Sequence, residues 1–298
     1  MSTIREINDW KKKRKAIIIA HNYQPAEIQD IADFLGDSLD LSRKAAKTDA
    51  EVIVFCGVHF MAETAYILSP QKKVLLPDPS AGCPLADTIN VTTLKKLKAE
   101  NPGAKVVCYV NTSAEIKAES DICCTSQNAV EVVRRLGDVP VIFIPDRNLG
   151  DYVSKKLGKK LILHRGCCPT HDFVRKEDIL EARSRYPEAV VMAHPECRRE
   201  VLELCDYVGG TGGMVKYARE TNARFIIVGT EKGIIHRLKK ENPEKEFIPA
   251  SEKFICPDMK LITLEKVLNT LVNPEDYEVR VPGNILNRAH GAIDAMLK

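Results

Sequence analysis

The chain has no apolar run near the ~20 residues that a bilayer-spanning helix requires. Its longest, such as residues 139–145 (VPVIFIP), fall far short, so no transmembrane helix is expected. The charged N-terminus, MSTIREINDWKKKRK, lacks an apolar segment with a small-residue cleavage site. A secretory signal is therefore not expected, and a reducing cytoplasm is the expected compartment. No two of the ten cysteines stand as C-x-x-C, which removes support for zinc ribbons, thioredoxin-like sites and local ferredoxin loops. Walker A and G-x-G-x-x-G motifs are both missing, so nucleotide binding has little backing. An excess of one charge is missing too. With 44 Lys+Arg against 41 Asp+Glu, the net +3 gives no general attraction to nucleic acid or to a membrane. The one local basic excess, residues 11–15 (KKKRK), reads as the solvated end of a helix.

What is present describes a globular protein with a large core: 298 residues, 44% hydrophobic and 29% charged. Short β-rich apolar runs alternate with longer amphipathic stretches, the pattern of parallel strands joined by crossover helices, so the fold class is α/β. Expected strands are residues 16–20, 51–55, 73–76, 105–110, 141–145, 161–163, 189–193, 207–208 and 225–228. Expected helices include 38–47, 91–100, 126–136, 177–185 and 214–220, each with apolar residues at three- and four-residue spacing.

The pattern repeats about every 86 residues, longer than a solenoid repeat and suited to a triplicated small α/β unit. Hydroxyl residues that open or precede a helix recur at Ser38, Ser126 and Thr211, steps of 88 and 85. Cysteines recur at Cys83, Cys168 and Cys256, steps of 85 and 88. Polar clusters end the first strand of each group, at residues 20–23, 109–112 and 193–196, placing a His or Asn (His21, Asn111, His194) in each. The expected architecture is three pseudo-symmetric small α/β/α domains with parallel sheets, at 1–83, 84–168 and 169–257. The tail, 258–298, fits no repeat and is expected to pack on the first.

Of the ten cysteines, only Cys83, Cys168 and Cys256 are followed by proline, and they are the three that close the repeats. Proline after a cluster cysteine removes a backbone donor and fixes the turn. Three thiolates suit a 4Fe-4S cluster with one iron free of cysteine, able to act as a Lewis acid on a hydroxyl or carboxylate. Burial as small apolar residues is the alternative reading, and it is the preferred one for the other seven. Cys167 competes with Cys168 as ligand; the proline and the register favour Cys168.

Ser38, Ser126 and Thr211 stand where helices are expected to begin, and helix N-termini offer N–H groups to an anion. The glycine-rich residues 209–213 add to that in the third repeat. His21, Tyr23, Tyr109, Asn111, His194 and Glu196 sit at strand ends, where open α/β sheets hold substrate. His171, three residues after Cys168, is a candidate to support the cluster from behind.

These residues resemble the quinolinate synthase family. The resemblance covers essentially the whole chain and runs through His21-Asn22-Tyr23, Gly36-Asp37-Ser38, the stretch from Cys56 to Thr64 (CGVHFMAET), Tyr109-Val110-Asn111, Cys124-Thr125-Ser126, Cys168-Pro169-Thr170-His171, His194-Pro195-Glu196-Cys197 and Gly229-Thr230-Glu231-Lys232-Gly233. It implies condensation of iminoaspartate with dihydroxyacetone phosphate to quinolinate, with loss of phosphate and two waters, on a central site among three domains. It implies one 4Fe-4S cluster per chain on Cys83, Cys168 and Cys256. It also implies substrate contacts from His21, Ser38, Tyr109, Asn111, Ser126, His194, Glu196 and Thr211. Tyr23, Glu196 and His194 are implied as proton carriers, and an iminoaspartate-producing enzyme as functional partner. One departure stands out: Lys253 occupies the place where some members carry a further cysteine, as C-x-x-C-P, which removes a thiol–disulfide switch there. Rival readings are a hydro-lyase of the aconitase type, which would not need a phosphorylated substrate, and a non-catalytic iron–sulfur carrier.

Overall fold

Runs such as Ala16–His21 (AIIIAH), Val141–Ile144 (VIFI) and Phe225–Gly229 (FIIVG) are β-branched and apolar throughout. Strands of that kind need cover on both faces, which parallel sheets flanked by helices provide. The computed structural model describes residues 3–297 and builds three such sheets. The first holds β1 (Ala16–His21), β2 (Phe34–Gly36), β3 (Val52–Cys56) and β4 (Lys73–Leu75). The second holds β5 (Lys105–Tyr109), β6 (Ile122–Cys124), β7 (Val141–Ile144) and β8 (Ile162–Leu163). The third holds β9 (Val190–Ala193), β10 (Tyr207–Val208), β11 (Phe225–Gly229) and β12 (Glu246–Pro249). Each is wholly parallel, with the same strand order: β2-β1-β3-β4, β6-β5-β7-β8 and β10-β9-β11-β12. The expected α/β class and threefold plan hold, and nine expected strands fall within a residue or two of their observed bounds.

Three strands were not expected: β2, β6 and β12. The first two have three residues each, and the third carries Glu246 and Pro249, so none presents a long apolar run. The reading of Ser126 as a helix start is corrected as well. Residues Thr125 to Asn128 form a turn, in which the Asn128 side chain accepts the Thr125 N–H at 2.7 Å, and the helix begins only at Ala129. Ser38 and Thr211 are first residues of their helices, Ser38–Lys47 and Thr211–Glu220.

One feature repeats in all three units. Asp33, Asp121 and Asp206 each stand just before or at the edge of the second strand and accept a backbone N–H from the first strand: Ile18 at 2.7 Å, Val106 at 2.8 Å and Val191 at 2.8 Å. Each is paired with a cation, Lys11, Lys105 or Arg183 respectively. The sequence steps, 88 and 85, match those of Ser38, Ser126 and Thr211.

The basic run is more than a solvated helix end. Its first four residues form the last turn of helix Thr3–Arg14, and Arg14 donates to the carbonyls of Leu271 and Val272 at 3.1 and 3.0 Å. Those carbonyls close helix Leu264–Val272, where a cation meets the negative end of the helix dipole. The tail touches all three repeats, Lys260 pairing with Glu231 of the third at 2.8 Å. Tyr277 and Val279 bond to Leu76 and Val74 beside the first sheet, whereas helix Gly283–Leu297 packs on helix Ala114–Ala118 and β6 of the second.

Candidate active site

Strand register decides which side chains reach the centre. Ala20 pairs with Cys56, Cys108 with Ile144, and Ala193 with Gly229. The next residues, His21, Tyr109 and His194, are therefore equivalent, and so are Tyr23, Asn111 and Glu196 two positions further on. This corrects the expected alignment: Tyr109, not Asn111, stands level with the histidines. All six line one central cavity, together with Ser38, Ser126, Thr211 and the three cysteines Cys83, Cys168 and Cys256. Each sheet delivers its side chains from the carboxyl ends of its two middle strands, the place where the direction of the crossovers reverses.

The local reason for Cys-Pro becomes visible here. Cys168 is the N-cap of the short helix Pro169–Asp172, with proline at its first position, where the missing N–H costs nothing. The N–H of His171 then turns back to the Cys168 carbonyl at 3.2 Å, and its ring Nδ1 lies 3.2 Å from the Cys168 sulfur. Cys83 and Cys256 are instead followed by 3-10 turns, Ala86–Thr88 and Asp258–Lys260, and the N–H groups of Leu85 and Ala86 favour the Cys83 thiolate as those of Asp258 and Met259 favour that of Cys256. All three cysteines are free. Burial raises each thiol, Cys83 to about 12, and the sulfurs act on one another: Cys256 raises Cys83, and Cys83 raises Cys168. Three convergent sulfurs, each met by backbone N–H groups, fit a soft metal centre that replaces their protons. Cys167, half-buried like Cys168, does not line the cavity; Asp172 and Arg147 are the charged groups that act on it most. Cys168, His171 and Glu196 also bring ligand-type atoms within 4.8 Å of one another. His171 and Glu196 already satisfy one another, however, so that set is first of all a hydrogen-bonded cluster.

Glu196 is the electrostatic centre of the cavity. It is 3% exposed, and its Oε2 meets the Nδ1 atoms of His171 and His194 at 3.0 and 3.1 Å. Burial alone would raise its carboxyl, but the two imidazoles outweigh that and hold it well below the ordinary carboxylate range. His171 Nε2 lies 2.8 Å from Thr230 Oγ1, which lies 2.5 Å from the Tyr23 hydroxyl. His194 Nε2 lies 3.1 Å from Ser126 Oγ. A single hydrogen-bonded path thus runs Tyr23, Thr230, His171, Glu196, His194, Ser126. Burial, with the Glu196 charge adding to it, raises the phenols of Tyr23 and Tyr109 and keeps both protonated. Burial, then His194 and Lys260, push His21 down to about 3, so it is neutral. The Glu196 Oε1 and Asn111 Oδ1 atoms are buried without a partner, and both residues line the cavity, so both offer acceptors to a bound molecule.

The glycine-rich turn behaves differently from expectation. Gly213 donates to Gln127 Oε1 at 3.2 Å, and Gly212 donates to the buried Asp37 carboxylate. A Cβ on Gly210 would meet Ser126 Oγ at 2.7 Å, and one on Gly212 would meet Asp37 at 2.6 Å. The glycines therefore let the third repeat close against the other two, and two of their N–H groups are already taken. Thr211 is held by Asn22, whose amide donates to its hydroxyl at 2.9 Å.

Thr230, Asp146 and Glu231 were not among the expected site residues. His171 was, as a support for Cys168, and its Nδ1 lies 3.2 Å from that sulfur. Thr230 and Glu231 lie in the Gly229-Thr230-Glu231 stretch after β11, and only the strand register tells that this stretch faces the cavity.

Fold and site together define the class: an enzyme built of three parallel α/β repeats around an enclosed, thiol-rich centre suited to a metal. The family model described as Quinolinate synthetase A protein matches residues 5–298. Quinolinate synthase of Dehalococcoides mccartyi (strain CBDB1) is 56% identical over 293 residues, covering 98% of this chain and 97% of the relative. The enzyme of that name from Thermodesulfovibrio yellowstonii is 52% identical over 296 residues (99% and 97%), and that from Methanosarcina barkeri 52% over 294 (99% and 96%). The chain belongs to the quinolinate synthetase A family.

Proposed function

We propose that the chain condenses iminoaspartate with dihydroxyacetone phosphate to give quinolinate, phosphate and two waters, on a 4Fe-4S cluster held by Cys83, Cys168 and Cys256. The observation that carries this reading is the convergence of those three sulfurs, one from each repeat, on the cavity that also holds Glu196 with one oxygen unpartnered. When bound, such a cluster supplies Lewis acidity from an iron that carries no cysteine.

The chain's own residues account for binding and proton transfer. Ser38, Ser126 and Thr211 offer hydroxyls where the three repeats meet, which suits phosphate or carboxylate oxygens. Asn111 Oδ1 accepts from a substrate amine or hydroxyl. His21, kept neutral by burial, binds without adding charge. Glu196, held ionised between two imidazoles, takes a proton through its unpartnered Oε1; Tyr23, held protonated, gives one. The path through Thr230 and His171 joins donor to acceptor, so the proton taken at Glu196 can be returned at Tyr23 between steps of isomerisation, cyclisation and aromatisation. Burial strengthens each of these contacts by excluding water.

The same reading divides the chain into units 1–83, 84–168 and 169–257 with the tail 258–298; residues 1, 2 and 298 lie outside those described. It places the protein in the cytoplasm, with an iminoaspartate-producing enzyme upstream. No helix among the described residues is long and apolar enough to cross a membrane. The test is product formation from the two substrates under anaerobic conditions, with dihydroxyacetone in place of its phosphate as control. Quinolinate from the phosphorylated substrate alone is expected. Activity on a hydroxy acid with no phosphate requirement would favour a hydro-lyase instead.

A further inference from the structure

Two buried acids occupy equivalent places and perform the same act. Asp146 and Glu231 each lie two residues beyond the partner of the residue before Tyr109 or His194, the partners being Ile144 for Cys108 and Gly229 for Ala193. Both are 0% exposed. In each, one oxygen closes the acid's own turn and the other holds the backbone N–H of the cysteine that ends the repeat. Asp146 accepts Leu149 N–H at 2.7 Å through Oδ1 and Cys168 N–H at 2.9 Å through Oδ2. Glu231 accepts Gly233 N–H at 2.7 Å through Oε2 and Cys256 N–H at 3.5 Å through Oε1, which Lys260 also meets at 2.8 Å. The first repeat has Val58 at this position and cannot do the same. There Asp258, two residues after Cys256, reaches across and accepts the N–H of Gly82, next to Cys83, at 3.1 Å.

We propose that Asp146 and Glu231 are positioning residues for the metal centre, with Asp258 in that role for the first repeat, each fixing a cysteine-bearing loop so that the three sulfurs converge. The inference rests on the reading of Cys83, Cys168 and Cys256 as ligands. A side chain whose two oxygens both accept cannot be replaced by an amide, because an amide offers one acceptor and turns its N–H₂ toward a backbone N–H. A nearly isosteric change therefore suffices to break the device, and groups that orient metal ligands typically contribute roughly 10- to 100-fold to metal retention.

The experiment follows release of iron from the anaerobically reconstituted holoprotein to a chelator, by loss of the cluster's visible absorbance. Asp146→Asn and Glu231→Gln are expected to speed release roughly 10- to 100-fold, and Asp258→Asn, in a half-exposed 3-10 turn, to speed it less. Asn90→Ala, which removes an exposed helix cap that does not line the cavity (Asn90 accepts Thr93 N–H at 2.9 Å), is expected to lower thermal stability without changing release. Release unchanged in all three acid variants would overturn the proposal. So would equal acceleration by Asn90→Ala, which would make the effect one of general stability. Should Asp146→Asn not fold, Glu231→Gln and Asp258→Asn decide alone. Cys168→Ser separates the two readings: full cluster retention in that variant overturns the ligand assignment itself, whereas loss of cluster there with unchanged release in the acid variants overturns only the positioning role.

Discussion

The two ends of the sheets obey different rules. At the back, where each first strand begins, the three repeats use one residue type in one way, as Asp33, Asp121 and Asp206 accept the N–H of Ile18, Val106 and Val191. At the front, equivalent positions carry different chemistry: His21, Tyr109 and His194 at one level, Tyr23, Asn111 and Glu196 at the next, Val58, Asp146 and Glu231 just past the neighbouring strand. The back holds the backbone plan and shows no variety. On the proposed function the front surrounds a substrate with no threefold symmetry, for which a repeated backbone would present a base, an acid and a neutral orienting group at one point. The Cys-Pro pair is kept without change at the front in all three repeats, as three like sulfurs on the proposed shared metal centre would require.

The front should fail most severely when one of those sulfurs is removed. Cys168→Ser is expected to abolish iron retention and product formation, whereas Cys167→Ser, outside the cavity, leaves both intact; iron analysis on the two purified variants checks this. Next come changes at the front that leave the metal in place. Glu196→Gln and Tyr23→Phe are expected to lower turnover by roughly 10²–10⁴ with iron content unchanged; unaltered turnover in either would remove its proton-carrying role. Thr230→Val, which cuts the path between Tyr23 and His171, is expected to cost about tenfold, the worth of ~1.4 kcal/mol of orientation. These losses should be unequal, because the three repeats do unequal work there.

At the back, the losses should be equal. Asp33→Ala, Asp121→Ala and Asp206→Ala each leave a strand N–H unpaired and are expected to cost about 1–3 kcal/mol, read as a lower melting temperature with unchanged turnover per folded molecule. The smallest effect is on pH. Burial raises the Asp121 carboxyl, but Lys105 and the Val106 N–H outweigh it and hold it below its ordinary 3.8. A carboxyl depressed on folding contributes stability that is fully present above its ordinary value and is lost as pH falls through the lower folded value. Melting temperature followed from mildly acidic pH downward should therefore fall less steeply below 3.8 in Asp121→Asn than in the parent.

Much of this division was legible in the chain, and the rest was hidden for identifiable reasons. The long strands announce themselves because burial on both faces demands continuous apolar runs. The three Cys-Pro pairs stand out because proline follows only these three of the ten cysteines, a local signal. The back-end aspartates share the same steps of 88 and 85 yet pass unnoticed, since an acid beside a short strand looks like surface. Strands β2, β6 and β12 are too short or too polar to show a period. The equivalence of Tyr109 with the two histidines was missed because register is fixed by pairing with β7, a contact that no local pattern reveals. Asp146 and Glu231 act across 22 and 25 residues of chain, on a backbone N–H rather than a side chain, so residue type alone carries no sign of what they do.

Three equivalent turns, on this reading, hold one cluster at which the chain makes quinolinate. The decisive experiment is anaerobic reconstitution followed by iron and sulfide analysis and a quinolinate assay on the same sample. About four irons and about four sulfides per chain, with product formation rising in proportion to them, is the expected result. Product formed by a protein without iron, or no iron bound after careful reconstitution, would contradict it.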